Sequence, residues 1–152
     1  MVLEAESILK AVAKAVGKKK AEIIFFSPAG KKFDEPMAKK LADKNDVVFI
    51  AGHYEGVDAR VVKILKAKQV SIGDYVLTGG ELPAAIVIDA AARFVPGVLG
   101  KAGSLESSRV SSSEVYTRPE TLKWRGKKYR VPKVLLSGHH AEIDKWKQSR
   151  KK

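Results

Sequence analysis

The stretch Ser71-Ile72-Gly73-Asp74-Tyr75-Val76-Leu77-Thr78-Gly79-Gly80-Glu81-Leu82-Pro83 forms a glycine-rich corner between a strand pattern and a helix pattern. Its glycines at 73, 79 and 80 permit positive φ angles and let the backbone approach a ligand closely. Val76 and Leu77 predict a very short buried strand. Leu82-Pro83 predicts a helix start, because a proline in the first turn loses no hydrogen bond. Such a corner suits a small flat ligand held by main-chain hydrogen bonds, whereas the glycine spacing taken alone favours two ordinary turns.

Before this corner, continuous apolar segments alternate with helical patterns. The segments 22–27 and 46–51 predict buried strands, the first of them stopped by Pro28-Ala29-Gly30, and 69–72 predicts a third. Amphipathic periodicity and start signals predict helices at 2–16, 37–41 and 58–65. Strands that are apolar throughout and separated by helices predict an α/β fold, with a mostly parallel sheet covered by helices on both faces.

After the corner, the chain becomes first apolar and then polar. Residues 84–94 predict a helix that is apolar on nearly every side, so it is buried either in the core or in a subunit contact. The serine-rich segment 101–114 predicts a mobile loop. A hairpin or exposed basic arm is predicted at 122–131, a last strand at 133–136 and a basic helix at 141–150. With no repeat and no linker, residues 1–152 are expected to form one domain.

Composition and charge limit the classes of function. The 152 residues include 29 lysines and arginines and 17 acidic residues, a net charge of +12, which favours a polyanionic partner such as RNA. The chain has no cysteine, so disulfides and thiolate metal sites are excluded. Its three histidines lack metal-ligand spacing, and no metal site is predicted. No apolar run is long enough to span a membrane and no signal peptide is evident, so a cytoplasmic protein without membrane contact is expected.

Five motifs in order resemble the bacterial tRNA (guanine-N1) methyltransferases, which belong to the knotted SPOUT class. The central stretch is similar to their signature, and residues 52–60 (GHYEGVDAR) are similar to their G-R-Y-E-G-I-D-E-R loop. The segments RFVPGVLG (93–100), YTRP (116–119) and VLLSGHHAEI (134–143) follow in the same order. By this resemblance the chain corresponds to the core of those proteins, without their N-terminal segment and their C-terminal tRNA-binding domain.

The resemblance implies a SPOUT-type core with a deep trefoil knot, in which three loops hold S-adenosylmethionine. It also implies a homodimer with shared active sites and tRNA as the partner. Carried over position by position, the cofactor-binding residues come from three loops. They are Phe25, Phe26, Ser27 and Pro28; Gly52, Tyr54 and Glu55; and Ser71, Ile72, Gly73, Tyr75, Leu77, Gly79, Gly80 and Pro83.

The implied reaction is methylation of guanine N1 beside the anticodon, which requires removal of the N1 proton by a general base. The family's assisting arginine matches Arg93, which would stabilise negative charge on the base oxygen; an ion pair between Arg93 and Asp89 is the structural alternative. Where the family has its aspartate this chain has Ser108, and Glu106 is the nearest carboxylate. The alternative function is a knotted S-adenosylmethionine-binding module with little or no catalytic activity.

Overall fold

The structure, a computed structural model, describes residues 1–99 and 113–150. It divides the chain into two compact units, Met1–Leu99 and Gly100–Lys152. Most of the loop predicted at 101–114, including Glu106 and Ser108, lies outside the described residues.

The first unit is built on three parallel strands: β1 (Glu22–Lys32), β2 (Val47–Ile50) and β3 (Lys68–Ser71). The order across the sheet is β2-β1-β3, so the chain crosses over β1 between the second and third strands. Both pairings are parallel, with Glu22 opposite Val47 and Ile24 opposite Lys68. The parallel sheet predicted from the apolar segments is therefore confirmed.

Helices cover both faces of this sheet, because successive residues of a buried strand point to opposite sides. One apolar cluster joins Ile24 and Phe26 of β1 to α2 (Glu35–Ala42) and α4 (Glu81–Ala92). The other joins Ile23 and Phe25 to α1 (Ala5–Val16) and α3 (Ala59–Leu65). Among the described residues, the largest fully buried side chains are Ile24, Val61, Val70 and Val87. The prediction of an α/β fold with helices on both faces is confirmed.

Two helix starts follow the chemistry expected from their sequence. The Asp34 carboxylate accepts a hydrogen bond from the Met37 amide at 2.8 Å, and a proline stands in the first turn of α2. The Asp58 carboxylate accepts a bond from the Arg60 amide at 2.9 Å at the start of α3. These side chains satisfy amide groups that the first turn of a helix leaves without a backbone partner.

Two predictions for the first unit are wrong. Pro28-Ala29-Gly30 does not stop β1, which continues to Lys32; Phe26 and Lys31 both pair with Val70, so the intervening residues bulge out of the ladder. Val76 and Leu77 do not form a buried strand, since their side chains are 82% and 38% exposed. No described strand pairs with Val76 or Leu77 in this fold.

The second unit contains a hairpin of β4 (Thr121–Trp124) and β5 (Lys127–Arg130), followed by α5 (Lys133–Leu136) and α6 (His140–Gln148). The predicted hairpin and basic helix are confirmed. The strand predicted at 133–136 is wrong: these residues form one helical turn after Pro132, whose carbonyl accepts from the Leu135 amide at 3.0 Å. No helix in the described ranges is long and apolar enough to cross a membrane.

Candidate functional site

A cleft of about 420 Å³ lies in the first unit, at the bulge of β1 and the segments that follow β2 and β3. Open α/β sheets commonly bind ligands in such a crevice beyond the carboxyl ends of their strands. The residues around it are Phe25, Phe26, Ser27, Pro28, Gly52, His53, Tyr54, Glu55, Gly56, Val57, Val70, Ser71, Ile72, Gly73, Tyr75, Val76, Leu77, Thr78, Gly79, Gly80 and Pro83.

The first wall of the cleft is the bulge of β1. Phe25 and Phe26 belong to the paired part of the strand, and Ser27 and Pro28 begin the bulge. The Ser27 hydroxyl accepts a hydrogen bond from the Ala29 amide at 3.3 Å, which closes a local turn. Ser27 and Pro28 lie between the paired residues Phe26 and Lys31, so they stand outside the pairing of β1 with β3 and line the cleft.

The second wall is the loop 52–57, which the N-terminal residues hold in place. The Leu3 amide donates to the Gly56 carbonyl at 2.9 Å, and the Asp58 amide donates to the Leu3 carbonyl at 3.1 Å. Within the loop, Tyr54 has a φ of 60°, a conformation that non-glycine residues seldom adopt. Such backbone strain is often found at functional sites, where surrounding contacts maintain it.

The third wall is the glycine-rich corner. The Ser71 hydroxyl is almost fully buried and donates to the Gly73 carbonyl at 2.9 Å while accepting from the Gly73 amide at 3.2 Å. The Tyr75 hydroxyl reaches back to the Ile72 carbonyl at 3.3 Å. These local bonds hold the corner at the end of β3, where Tyr75 and Leu77 line the cleft.

The second and third walls are joined by their backbones at Gly80. Its amide donates to the Gly52 carbonyl at 2.9 Å, and a side-chain carbon added at this glycine would lie 2.6 Å from the Ala51 Cα. Close approach therefore requires Gly80. None of Gly73, Gly79 and Gly80 uses the positive φ angle that glycine permits.

A side-chain pair reinforces this junction. His53 and Gly79 form an isolated antiparallel bridge, and the His53 Nε2 atom lies 2.7 Å from Glu81 Oε1 at the start of α4. A carbon added at Gly79 would meet Glu81 Oε2 at 2.3 Å and His53 Cε1 at 2.6 Å. Unlike Gly80, Gly79 is thus surrounded by side-chain atoms that can move rather than by backbone.

The structure brings together every residue that the resemblance assigned to the cofactor, since each of them lines this one cleft. It adds residues that sequence reasoning did not assign: His53, Gly56, Val57, Val70, Val76 and Thr78. Each of these six residues lies next to or between assigned residues in the same segment. This adjacency in the sequence could have identified them as cleft residues. Within the described ranges, no group of three or more histidine or acidic side chains is arranged to hold a metal ion.

Of the residues assigned to catalysis the structure describes Arg93, which does not line the cleft. Arg93 follows the last turn of α4, about 15 Å along the helix axis from Pro83 at a rise of 1.5 Å per residue. Its side chain is exposed, and among the described residues its contact with Asp89 is a backbone hydrogen bond of 3.3 Å rather than an ion pair. The structure therefore does not support the alternative in which Arg93 pairs with Asp89. Glu106 and Ser108 lie outside the described residues.

Comparison with known proteins relates the whole chain to one family. The family profile described as tRNA (guanine-1)-methyltransferase TrmD matches residues 1–152. This chain belongs to that family.

Curated relatives of this methyltransferase family agree with the profile match. The chain is 45% identical to the tRNA (guanine-N(1)-)-methyltransferase of Carboxydothermus hydrogenoformans, over 97% of this chain and 58% of the relative. It is 46% identical to the protein of that name from Pelotomaculum thermopropionicum, over 97% of this chain and 60% of the relative. It is 44% identical to the protein of that name from Porphyromonas gingivalis, over 97% of this chain and 66% of the relative. The chain thus spans about three fifths of the length of the curated relatives it matches.

Proposed function

We propose that this protein is an S-adenosylmethionine-dependent methyltransferase that acts on guanine N1 in tRNA, next to the anticodon. The observation that carries the proposal is the single cleft lined by every residue that the family resemblance assigns to the cofactor. Membership of a family whose members are named tRNA (guanine-N(1)-)-methyltransferases supplies the reaction and the substrate. The net charge of +12 suits a polyanionic substrate.

The composition of the cleft fits this cofactor. Its volume falls in the range of pockets for small molecules and cofactors. Ile72, Leu77 and Pro83 offer apolar walls for an adenine ring, and the glycine-rich backbone offers hydrogen-bonding groups for the ring edge. The carboxylate of Glu55 in the lining suits a ligand that carries a sulfonium cation. When bound, S-adenosylmethionine supplies the electrophilic methyl group.

Side chains of this protein would carry out the other two tasks, which are proton removal and stabilisation of negative charge. Guanine N1 becomes nucleophilic when it loses its proton, and we assign proton removal to the Glu106 carboxylate, with Ser108 beside it in the sequence. The guanidinium of Arg93 would donate hydrogen bonds to the guanine oxygen, on which negative charge then develops. Because Arg93 lies away from the cleft of its own chain, this role requires an active site shared between two copies.

Further parts of the proposal concern the fold and the assembly. We infer that the loops around the cleft form a deep trefoil knot, which a crystal trace through residues 20–92 would test directly.

A homodimer is supported by α4, whose Leu82 and Ile86 stand one turn apart and are 63% and 48% exposed. A cytoplasmic location follows from a tRNA substrate.

Cofactor binding is tested by replacing Gly79 with valine. The added Cβ would meet the side chains of His53 and Glu81, which can move, so we expect a folded protein that no longer binds S-adenosylmethionine in calorimetry. The matched control is Gly80→Ala, whose new carbon meets the backbone of Ala51 and should lower stability instead. Unchanged affinity in Gly79→Val would reject the cleft as the cofactor site.

Catalysis is tested by Glu106→Gln, which removes the base and keeps the size of the side chain. We expect S-adenosylmethionine binding to be unchanged and methyl transfer to unmodified tRNA to fall by about 10²–10⁴-fold, the usual contribution of a general base. Glu114→Gln is the control, since it removes a carboxylate eight positions further along. Full turnover in Glu106→Gln would assign the base to another residue.

A further inference from the structure

The hairpin of the second unit has two chemically different faces. Its two-residue turn has a φ of 50° at Arg125 and 75° at Gly126, the positive values typical of a tight type I′ turn. Successive residues of a strand point to opposite faces of the hairpin, so the register of β4 and β5 shows which side chains share a face. The basic face carries Thr121, Lys123, Lys128 and Arg130, and the aromatic face carries Leu122, Trp124, Lys127 and Tyr129.

The aromatic face is open to solvent. Leu122 stands opposite Tyr129, and Trp124 stands opposite Lys127. The exposed fractions of Leu122, Trp124 and Tyr129 are 53%, 61% and 52%. Large rings exposed to this degree on one sheet face are characteristic of an interaction surface rather than of a core.

The other tryptophan of the chain is placed differently. The ring of Trp146 in α6 packs against that of Tyr116 at a tilt of 56°, with centroids 6.2 Å apart, and the Arg150 guanidinium lies 4.6 Å from the Trp146 centroid. Trp146 therefore contributes to the packing of its own unit. Trp124 has the Arg125 guanidinium at 5.8 Å as its neighbour and otherwise faces outward.

Charge and turn conformation indicate what this surface recognises. Residues 121–131 include five cationic side chains, at 123, 125, 127, 128 and 130, and no acid. Arg125 occupies a left-handed turn position that glycine and asparagine adopt with less strain. Such strain is often retained where the side chain has a function, and here it sets a guanidinium beside an exposed ring.

We propose that this hairpin binds unpaired nucleotides of RNA, with bases stacked on Trp124 and Tyr129 and phosphates paired with Lys123, Lys128 and Arg130. Stacking aromatics combined with a cationic track are how proteins hold single strands with little sequence preference. The choice of RNA among polyanions rests on the proposed function. A lipid surface fits less well, because Lys127 interrupts a small apolar face. A second copy of the hairpin also fits less well as the partner, because its cationic side chains would lie against those of the first.

The experiment uses the full chain with Trp146→Phe, which leaves Trp124 as its single tryptophan. Addition of a single-stranded oligouridylate should quench Trp124 fluorescence, and an RNA duplex of the same length should quench it far less. Trp124→Leu, which keeps an apolar side chain at this strand position, should weaken single-strand binding by about 5- to 150-fold in anisotropy, which corresponds to about 1–3 kcal/mol for one stacked base. Trp124→Phe should retain most of the affinity.

A charge variant tests the other face. Replacing Lys123, Lys128 and Arg130 with glutamine should lower the slope of log affinity against log salt by about 2, at about 0.7 for each phosphate contact with a single strand. The matched control removes the same charge from exposed residues of the first unit, with Lys14, Lys18 and Lys20 changed to glutamine. This control should leave the quenching of Trp124 intact.

These measurements separate the hairpin from the active site, because neither the oligouridylate nor the quenching requires methyl transfer. Unchanged cofactor affinity in Gly79→Val together with normal quenching would reject the proposed cofactor site and keep the hairpin proposal. RNA that binds without quenching Trp124, with equal affinity in Trp124→Leu, would overturn the hairpin proposal. So would conversion of a dimer to a monomer by Trp124→Leu, since the aromatic face would then be a subunit interface.

Discussion

At the scale of single residues, Asp58 lies between the cleft loop 52–57 and helix α3. It follows the loop 52–57 and begins α3, and its carboxylate also accepts from the Arg60 guanidinium at 2.6 Å. Hydrogen bonds from the Arg60 side chain and amide lower the pKa of Asp58 from 3.8 to about 2. The ionised carboxylate is thus the form that the folded protein stabilises.

This shift predicts an acid-sensitive contribution to stability. Because the folded pKa lies below the unfolded value, the contribution is fully present above about pH 4 and is lost as pH falls from there through about 2. A carboxyl titration by NMR should place the Asp58 midpoint near 2, and Arg60→Gln should move it upward. A midpoint near 3.8 in the unmodified protein would contradict the assignment.

At the scale of elements, α2 shows how a local cap supports the sheet. Its start is fixed by the bond from the Met37 amide to the Asp34 carboxylate, and its Ala38 and Leu41 are buried. A helix this short depends on capping and on packing, because its intrinsic helical propensity alone is insufficient.

Removal of this cap should therefore be measurable. Asp34→Ala leaves amides of the first turn without a side-chain acceptor, and we expect the free energy of unfolding to fall by about 1 kcal/mol. For a chain of this size the midpoint of thermal unfolding should fall by about 2–4 °C. Asp34→Asn retains an acceptor oxygen and should stay close to the unmodified protein. Equal losses in both variants would show that the charge, rather than the cap, is responsible.

At the scale of the whole molecule, the separation of Arg93 from the cleft has a consequence for assembly. If two copies share each active site, a chain with an intact cleft but no Arg93 should be rescued by a chain with Arg93 but a blocked cleft. In a mixture of Arg93→Ala and Gly79→Val chains, half of the dimers are mixed and each has one complete site. We expect about a quarter of the unmodified activity, although each variant alone is inactive.

The control for this rescue is a variant that disrupts the proposed interface. Leu82→Glu with Ile86→Glu places charges on the exposed apolar side of α4 and should give a monomer mass in light scattering. Introduced into both chains, these changes should abolish the rescue. Absence of rescue in chains that do form mixed dimers would mean that Arg93 acts within its own subunit.

The sequence by itself determined the parallel sheet and its covering helices. These features depend on patterns within one segment: continuous apolar strands, amphipathic helices and the caps at Asp34 and Asp58. The choice of cleft residues came from the family resemblance, since glycine spacing alone did not distinguish a ligand site from ordinary turns. The hairpin was also predictable, because Arg125-Gly126 separates two short strand patterns.

Tertiary structure decided what depends on neighbours distant in the sequence. Whether β1 continued past Pro28 depended on Val70, which pairs with both Phe26 and Lys31. Whether Val76 and Leu77 were buried depended on an adjacent strand that the fold does not supply. A four-residue apolar run such as 133–136 suits a strand or a helical turn equally well, and its surroundings selected the turn. The requirement for Gly80 likewise arises from the backbone of Ala51, which only folding brings within contact distance.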